Sequence, residues 1–234
     1  MTNYVGDEHD LYPYSAVTYI QSTFPDGFKT SGSGAVVGKN DVLTASHVIY
    51  SSEHGGLAKN IDVYPGRDGF ERPYGSYESD VENYYEVDKN EDGLLSVTDT
   101  EHDFALLGFD DAFGNQTGWF GLDAYGKDGY YNLTGYPGIY ADETGPRMTN
   151  DYGFATNEVY NNFFNLESIE SNFGNSGGPL WYSGASGPNL VGVLSSGDLT
   201  GSRAGDIYYS QILDLINGND YLIGEEIYFK TNTD

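Results

Sequence analysis

Short runs of β-branched, aromatic and aliphatic residues alternate along this chain with Gly, Asn, Asp and Pro. That punctuation predicts strands at 16–22, 34–37, 41–44, 61–64, 104–109, 131–135, 163–169, 179–181 and 190–195, and so an all-β protein. Helical spacing is convincing only near the C-terminus, at about 208–217. There Ile212, Leu215 and Ile216 fall at i, i+3 and i+4, and Gly218 is expected to stop the helix. No segment repeats at a fixed period of roughly 20–50 residues.

The 234 residues can build one sizeable core or two small lobes. Apolar residues make up only 38%, but 22 Tyr and 12 Phe add burial capacity and argue against disorder. With no Cys, neither disulfides nor thiol chemistry is available. A formal net charge of −26 argues against nucleic acid and anionic membranes as partners, since both would repel the chain. An acidic solvated surface suits salty surroundings, and it would also steer cationic substrates and attract Ca²⁺. No apolar stretch approaches the ~20 residues of a membrane-spanning helix. Met1-Thr2-Asn3-Tyr4 has neither the basic nor the apolar region of a secretory signal.

Three motifs carry candidate chemistry. Gly174-Asn175-Ser176-Gly177-Gly178-Pro179-Leu180 places a serine on a glycine-rich turn, where its hydroxyl and nearby backbone N–H groups can face an attacked carbonyl. Leu43-Thr44-Ala45-Ser46-His47 offers an imidazole base at a strand end. His102-Asp103-Phe104-Ala105-Leu106-Leu107 offers a carboxylate that an apolar run carries inward. The order His, Asp, Ser is that of chymotrypsin-type enzymes, not of subtilisins or α/β-hydrolases. His9 and His54 lie in acidic and Gly-rich segments. His102 would point to the opposite side of a strand from Asp103.

On these motifs the chain resembles a trypsin-fold serine endopeptidase of the bacterial glutamyl-endopeptidase (V8-like) branch. Tyr12-Pro13-Tyr14-Ser15-Ala16-Val17, Gly32-Ser33-Gly34-Ala35-Val36-Val37-Gly38, Val63-Tyr64-Pro65-Gly66 and Gly135-Tyr136-Pro137-Gly138 are further similar stretches. The resemblance implies two six-stranded antiparallel β-barrels with the active site in the cleft between them and a short C-terminal helix. It places an N-terminal barrel with His47 and Asp103 in 1–112 and a C-terminal barrel with Ser176 in 113–234. The crossing lies at 110–118. It also implies a base at His47, an orienting carboxylate at Asp103, a nucleophile at Ser176, and oxyanion donors at the N–H groups of Gly174 and Ser176. Asn175 stands where trypsin has Asp, so activation by a buried amino-terminus ion pair is not implied.

For substrate binding the alignment brings Glu170, Ser171, Leu194, Ser195 and Gly197 to the specificity pocket. Leu194 stands where glutamyl endopeptidases carry a histidine. Glu170 falls at the pocket floor and favours a basic residue by charge-assisted hydrogen bonding. A neutral pocket, with Glu170 paired to Arg203 or turned to solvent, and a glutamate preference both stay open.

The stretch 88–99 fits a calcium loop, with candidate ligands Asp88, Asn90, Asp92, the Leu94 carbonyl and Asp99, and Gly93 at the turn. Position 12 is Asp instead of Glu and the preceding flank reads as strand, so an acidic surface hairpin is the alternative. The calcium would be structural, and catalysis would need no cofactor. Gly218-Asn219-Asp220-Tyr221-Leu222-Ile223-Gly224 resembles a single calcium-binding repeat and reads equally as a capping turn.

The expected protein is a secreted, monomeric serine endopeptidase acting on proteins or peptides, without nucleic-acid or membrane partners. A trypsin-fold binding or adhesion module with little or no catalysis is the alternative.

Overall fold

Two antiparallel sheets organise the residues that the structure, a computed structural model, describes: 2–87, 95–158, 163–198, 201–206 and 209–225. The first sheet runs Tyr77–Glu78, Asn60–Pro65, Val17–Thr23, Lys29–Val36, Asp41–Thr44, Ala105–Gly108, Val81–Tyr84. It curls until its two edges are bridged. Ser79 N donates to Ile61 O (3.0 Å) on one edge, and Asp80 N donates to Gly108 O (3.0 Å) near the other.

The second sheet closes completely. Thr149–Glu158, Gly129–Gly135, Pro179–Gly184, Gly187–Asp198, Gly201–Asp206 and Phe163–Leu166 follow one another, and the last pairs back to Thr149–Glu158. Closure removes the free edges that an open sheet leaves exposed.

Strand Val17–Thr23 shows why these residues form strands, because its buried and part-exposed positions largely alternate. Ile20, Leu43, Ile49, Val63 and Leu106 fill the first barrel, and Leu133, Phe164, Leu166, Leu180 and Val191 the second. Each such side chain contributes about 1.5–3 kcal/mol by leaving water. Trp181, Leu190 and Val193 of the second sheet belong to the first cluster, so apolar packing is continuous across the junction.

Several elements depart from expectation. Strands Thr149–Glu158 and Gly201–Asp206 carry no hydrophobic run. The inward positions of the first are Thr149, Asp151, Gly153 and Ala155. His102 lies not on a strand but in the last turn of helix Val97–His102, where Nδ1 meets Thr98 O at 3.0 Å.

Both termini cross the expected division at 112/113. Asn3–Tyr4 pairs with Thr149–Asn150 of the second barrel. The C-terminal helix, Tyr209–Asn219, buries Ile212 in the first cluster. Gly218 does not stop this helix. The chain continues as a 3₁₀ turn over Asp220–Ile223, and that turn ends at Gly224, whose φ of 77° is readily adopted only by glycine.

The end of that helix is pinned by a polar cluster on the first barrel. Asn219 Nδ2 donates to Asp41 Oδ1 (2.8 Å), and Asn40 Nδ2 donates to the Asn219 and Phe109 carbonyls (3.0 and 2.8 Å). Lys39 pairs with Glu225 at 2.6 Å. Burial pushes the Asp41 carboxyl up to about 7; Asp220 adds to the shift and the Asn219 bond opposes it. A carboxyl whose pKa rises on folding contributes stability that is complete below its unfolded value, near 4, and is lost as pH rises through about 7. Asp41→Asn is therefore expected to reduce the loss of melting temperature between about pH 5 and pH 8 relative to the unaltered chain. Parallel melting-temperature profiles for the two proteins would count against this account.

Candidate active site

His47 and Asp103 approach from different elements of the first barrel. Helix Ser46–Ile49 begins directly after strand Asp41–Thr44, with Ala45 still extended. Ser46 Oγ donates to Phe104 O (2.6 Å) and accepts from Tyr85 N (3.2 Å), fixing the helix start beside the segment that follows Asp103. Asp103 terminates helix Val97–His102 and is 1% exposed.

Its carboxylate accepts from His47 N (2.9 Å, Oδ1), His47 Nδ1 (2.7 Å, Oδ2) and Ser195 Oγ (2.6 Å, Oδ2). Burial alone would raise the Asp103 pKa. The charge and hydrogen bonds of His47, with the Ser195 hydroxyl, outweigh it and hold the carboxyl below its ordinary value. With Nδ1–H committed to Asp103, the lone pair of a neutral imidazole lies on Nε2.

The Ser176 loop is shaped by its carbonyls. Phe173 O accepts from Gly138 N (2.8 Å) and Asn175 O from Gly178 N (2.8 Å). Within a trans peptide the N–H points opposite the C=O, so the N–H groups of Gly174 and Ser176 are turned away from these contacts. Neither donates to another described group. Ser33 locks the loop from the first barrel: its Oγ donates to Gly174 O (2.7 Å) and its N to Ser176 O (2.7 Å). Asn175 is buried, and its Oδ1 accepts from Asn172 N (3.0 Å).

Glycine is required at two places. Gly174 has φ +101°, and a Cβ there would strike Tyr136 O. Gly177 has φ +78°, and a Cβ there would strike Thr44 Oγ1 and Ser33 O.

The expected substrate-binding residues divide. Ser195 sits at a register shift between Leu194 and Ser196, a bulge that sends Leu194 into the second core and Ser195 to Asp103. Neither therefore lines a pocket through its side chain, and Ser195 instead positions the carboxylate. The only sequence signal for that role was its place on the strand after the nucleophile. Glu170 is exposed, and its carboxylate accepts from Thr2 Oγ1 (2.9 Å), so it is not the buried floor that was expected. Ser171 beside it is half-buried, Gly197 pairs with Ser202 in the second sheet, and the side chain of Arg203 lies outside the described residues.

Of the expected calcium ligands, Asp88, Asn90, Asp92 and Leu94 lie outside the described residues. Asp99 is in helix Val97–His102; its N–H bonds Ser96 Oγ (3.1 Å) and its Oδ2 accepts from the same hydroxyl (2.6 Å), a local helix cap. No group of three or more His, Cys, Asp or Glu side chains suited to a metal occurs among the described residues.

His47, Ser176 and Gly174 line one cleft of about 310 Å³. An imidazole with a free Nε2, a serine on a tight turn and two outward N–H groups meet there. That set can activate a hydroxyl and stabilise an oxyanion.

Comparison with known proteins agrees with this geometry. The trypsin family model matches residues 4–216. The chain is 30% identical over 189 residues to a glutamyl endopeptidase of Bacillus licheniformis, covering 79% of this chain and 54% of that protein. It is 32% identical over 145 residues to an extracellular metalloprotease of Bacillus subtilis, covering 60% and 43%. The chain thus spans about half the length of the curated relatives it matches.

A solved glutamyl endopeptidase superposes with a TM-score of 0.72 at 21% identity, covering 96% of this chain and 97% of that one. An inactivated protease paralogue of the scabies mite superposes at 0.67 and 16%, covering 87% and 95%; at such identities the likeness speaks for the fold alone. With nearly its whole described length matched, the chain belongs to the trypsin family of serine endopeptidases, and its relatives are consistent with the V8-like branch.

Proposed function

We propose that this chain is the peptidase domain of a secreted serine endopeptidase, acting as a monomer on proteins or peptides. The carrying observation is the buried Asp103 carboxylate bonded to His47 Nδ1 in a cleft that also holds Ser176. Ser176 Oγ attacks the peptide carbonyl while its proton passes to His47 Nε2. The N–H groups of Gly174 and Ser176 stabilise the oxyanion, and His47 returns the proton to the departing amine. Water then repeats the sequence on the acyl-enzyme, with no cofactor in the chemistry. Extracellular action agrees with the printed name of one relative, and no helix among the described residues is long and apolar enough to cross a membrane.

The reading extends to a basic residue on the acyl side of the scissile bond. Support comes from the net charge of −26 and from a leucine, packed in the core, where the related branch uses histidine. Chromogenic peptides ending in Arg, Leu or Glu decide it: Arg is expected to be cleaved best, and a Glu preference would return the chain to the specificity that its relatives' names carry. Calcium at the 88–99 loop is a further part of the reading, in which Asp99 Oδ1 would be one ligand.

Ser176→Ala is expected to lower kcat at least roughly 10⁴-fold and to abolish fluorophosphonate labelling, with an unchanged melting temperature. Turnover retained in that variant would falsify the assignment. Absence of labelling in the unaltered chain would favour a binding module, as the fold shared with an inactivated paralogue allows. Ser195→Ala is expected to cost roughly 10–100-fold in kcat with little change in KM, because it loosens Asp103 without touching substrate. If calcium is held, excess chelator should lower the melting temperature by several degrees and added Ca²⁺ should restore it, as for any ligand bound only by the folded state. Identical melting curves would remove calcium from the reading.

A further inference from the structure

The cleft at Ser176 continues past His47 into an aromatic recess that the triad does not use. Phe28 and His54 stack with ring centroids 3.8 Å apart and planes 9° from parallel. Phe24, fully buried, backs both rings at 6.3 and 5.7 Å. Asp26 ties the pair together, accepting from Phe28 N (2.8 Å) and from His54 Nδ1 (2.9 Å). Phe173 also lines this cleft and is 90% exposed although it directly precedes Gly174. Among the described residues no other ring packs against it.

Chemistry fixes which part of a substrate this recess meets. His47 must hand its proton to the departing amine, so a recess continuous with His47 is within reach of the residue that follows the scissile bond. Phe24, Phe28 and residues 50–54 of the first barrel line the same cleft as His47. The whole cleft, from Ser176 to this recess, is about 310 Å³, at the scale of a pocket that holds a side chain with its flanking backbone. A flat ring plate and an unpartnered exposed ring in one cleft suit an aromatic side chain, since offset or edge-on ring contacts add to simple apolar burial.

We propose that the Phe28–His54 pair and Phe173 form a subsite selecting an aromatic side chain on the residue that follows the scissile bond. Its assignment to that residue rests on the catalytic reading above. Asp26 is a positioning residue, because it holds the two rings and does not itself line the recess.

The test uses internally quenched peptides that are identical except for Gly, Leu, Phe or Trp after the cleaved bond. The unaltered chain is expected to give kcat/KM about 10-fold or more higher for Phe and Trp than for Gly, with Leu between. His54→Ala and Phe28→Ala should bring that ratio below about 3, and His54→Phe, which restores a flat ring, should recover it. Equal kcat/KM for Phe and Gly in the unaltered chain overturns the proposal while leaving the catalytic reading intact. A chain that neither labels with fluorophosphonate nor cleaves any peptide fails the catalytic reading instead. The recess is then tested by calorimetry with Phe-Gly amide against Gly-Gly amide. Tighter binding of the former, lost in His54→Ala, supports an aromatic subsite, and equal binding overturns it.

Discussion

The buried Asp103 carboxylate is the constraint on which the rest of this structure depends. A charge out of water is tolerated only when donors converge on it, and here they come from separate parts of the fold. The His47 backbone and ring belong to the short helix after Asp41–Thr44, and Ser195 belongs to the second barrel. Satisfying one carboxylate therefore fixes the imidazole orientation, the end of helix Val97–His102 and the placement of one barrel against the other. The bulge at Ser195 belongs to the same solution, because it lets consecutive residues serve the second core and the site.

The loop that carries Ser176 is organised from outside as well. Ser33, on the first barrel, holds the carbonyls of Gly174 and Ser176, while Gly138 and Gly178 hold those of Phe173 and Asn175. With these carbonyls engaged, the N–H groups of Gly174 and Ser176 point away from the holding contacts, which is the presentation that stabilising an oxyanion would require. The glycines follow from crowding: side chains at 174 or 177 would collide with the backbone that does the holding. On the leaving-group side the same cleft is walled by rings, while the chain around it is strongly acidic, so approach and final fit draw on different forces.

Each terminus reaches across to the barrel it does not belong to in sequence. Asn3–Tyr4 extends the second sheet, and the C-terminal helix closes the first core through Ile212 and the Asn219–Asp41 bond. A cleft between two barrels needs them held in one arrangement, and these straps act with the continuous packing around Trp181 and Val193. The buried Asp41 makes one strap sensitive to pH in the range where most of the chain's carboxylates are already ionised.

The sequence by itself determined the all-β class and the C-terminal helix, and it singled out His47, Asp103 and Ser176 as candidates, because each leaves a local mark. Alternating apolar residues mark strands, helical spacing marks the helix, and glycine flanks mark a serine on a tight turn. It did not reveal strand Thr149–Glu158, whose inward side chains are small or polar, or Gly201–Asp206, which carries no hydrophobic run; both exist because neighbours supply a hydrogen-bonding ladder. It could not separate Leu194 from Ser195 as pocket residues, since only the bulge decides that one enters the core and the other reaches Asp103. It placed Glu170 on a pocket floor by counting along the chain, whereas the residue lies exposed and its carboxylate accepts from Thr2, far away in sequence. Only tertiary structure brought Phe28, His54 and Phe173 to one cleft. Residues distant along the chain leave no local pattern when what joins them is the packing of two barrels.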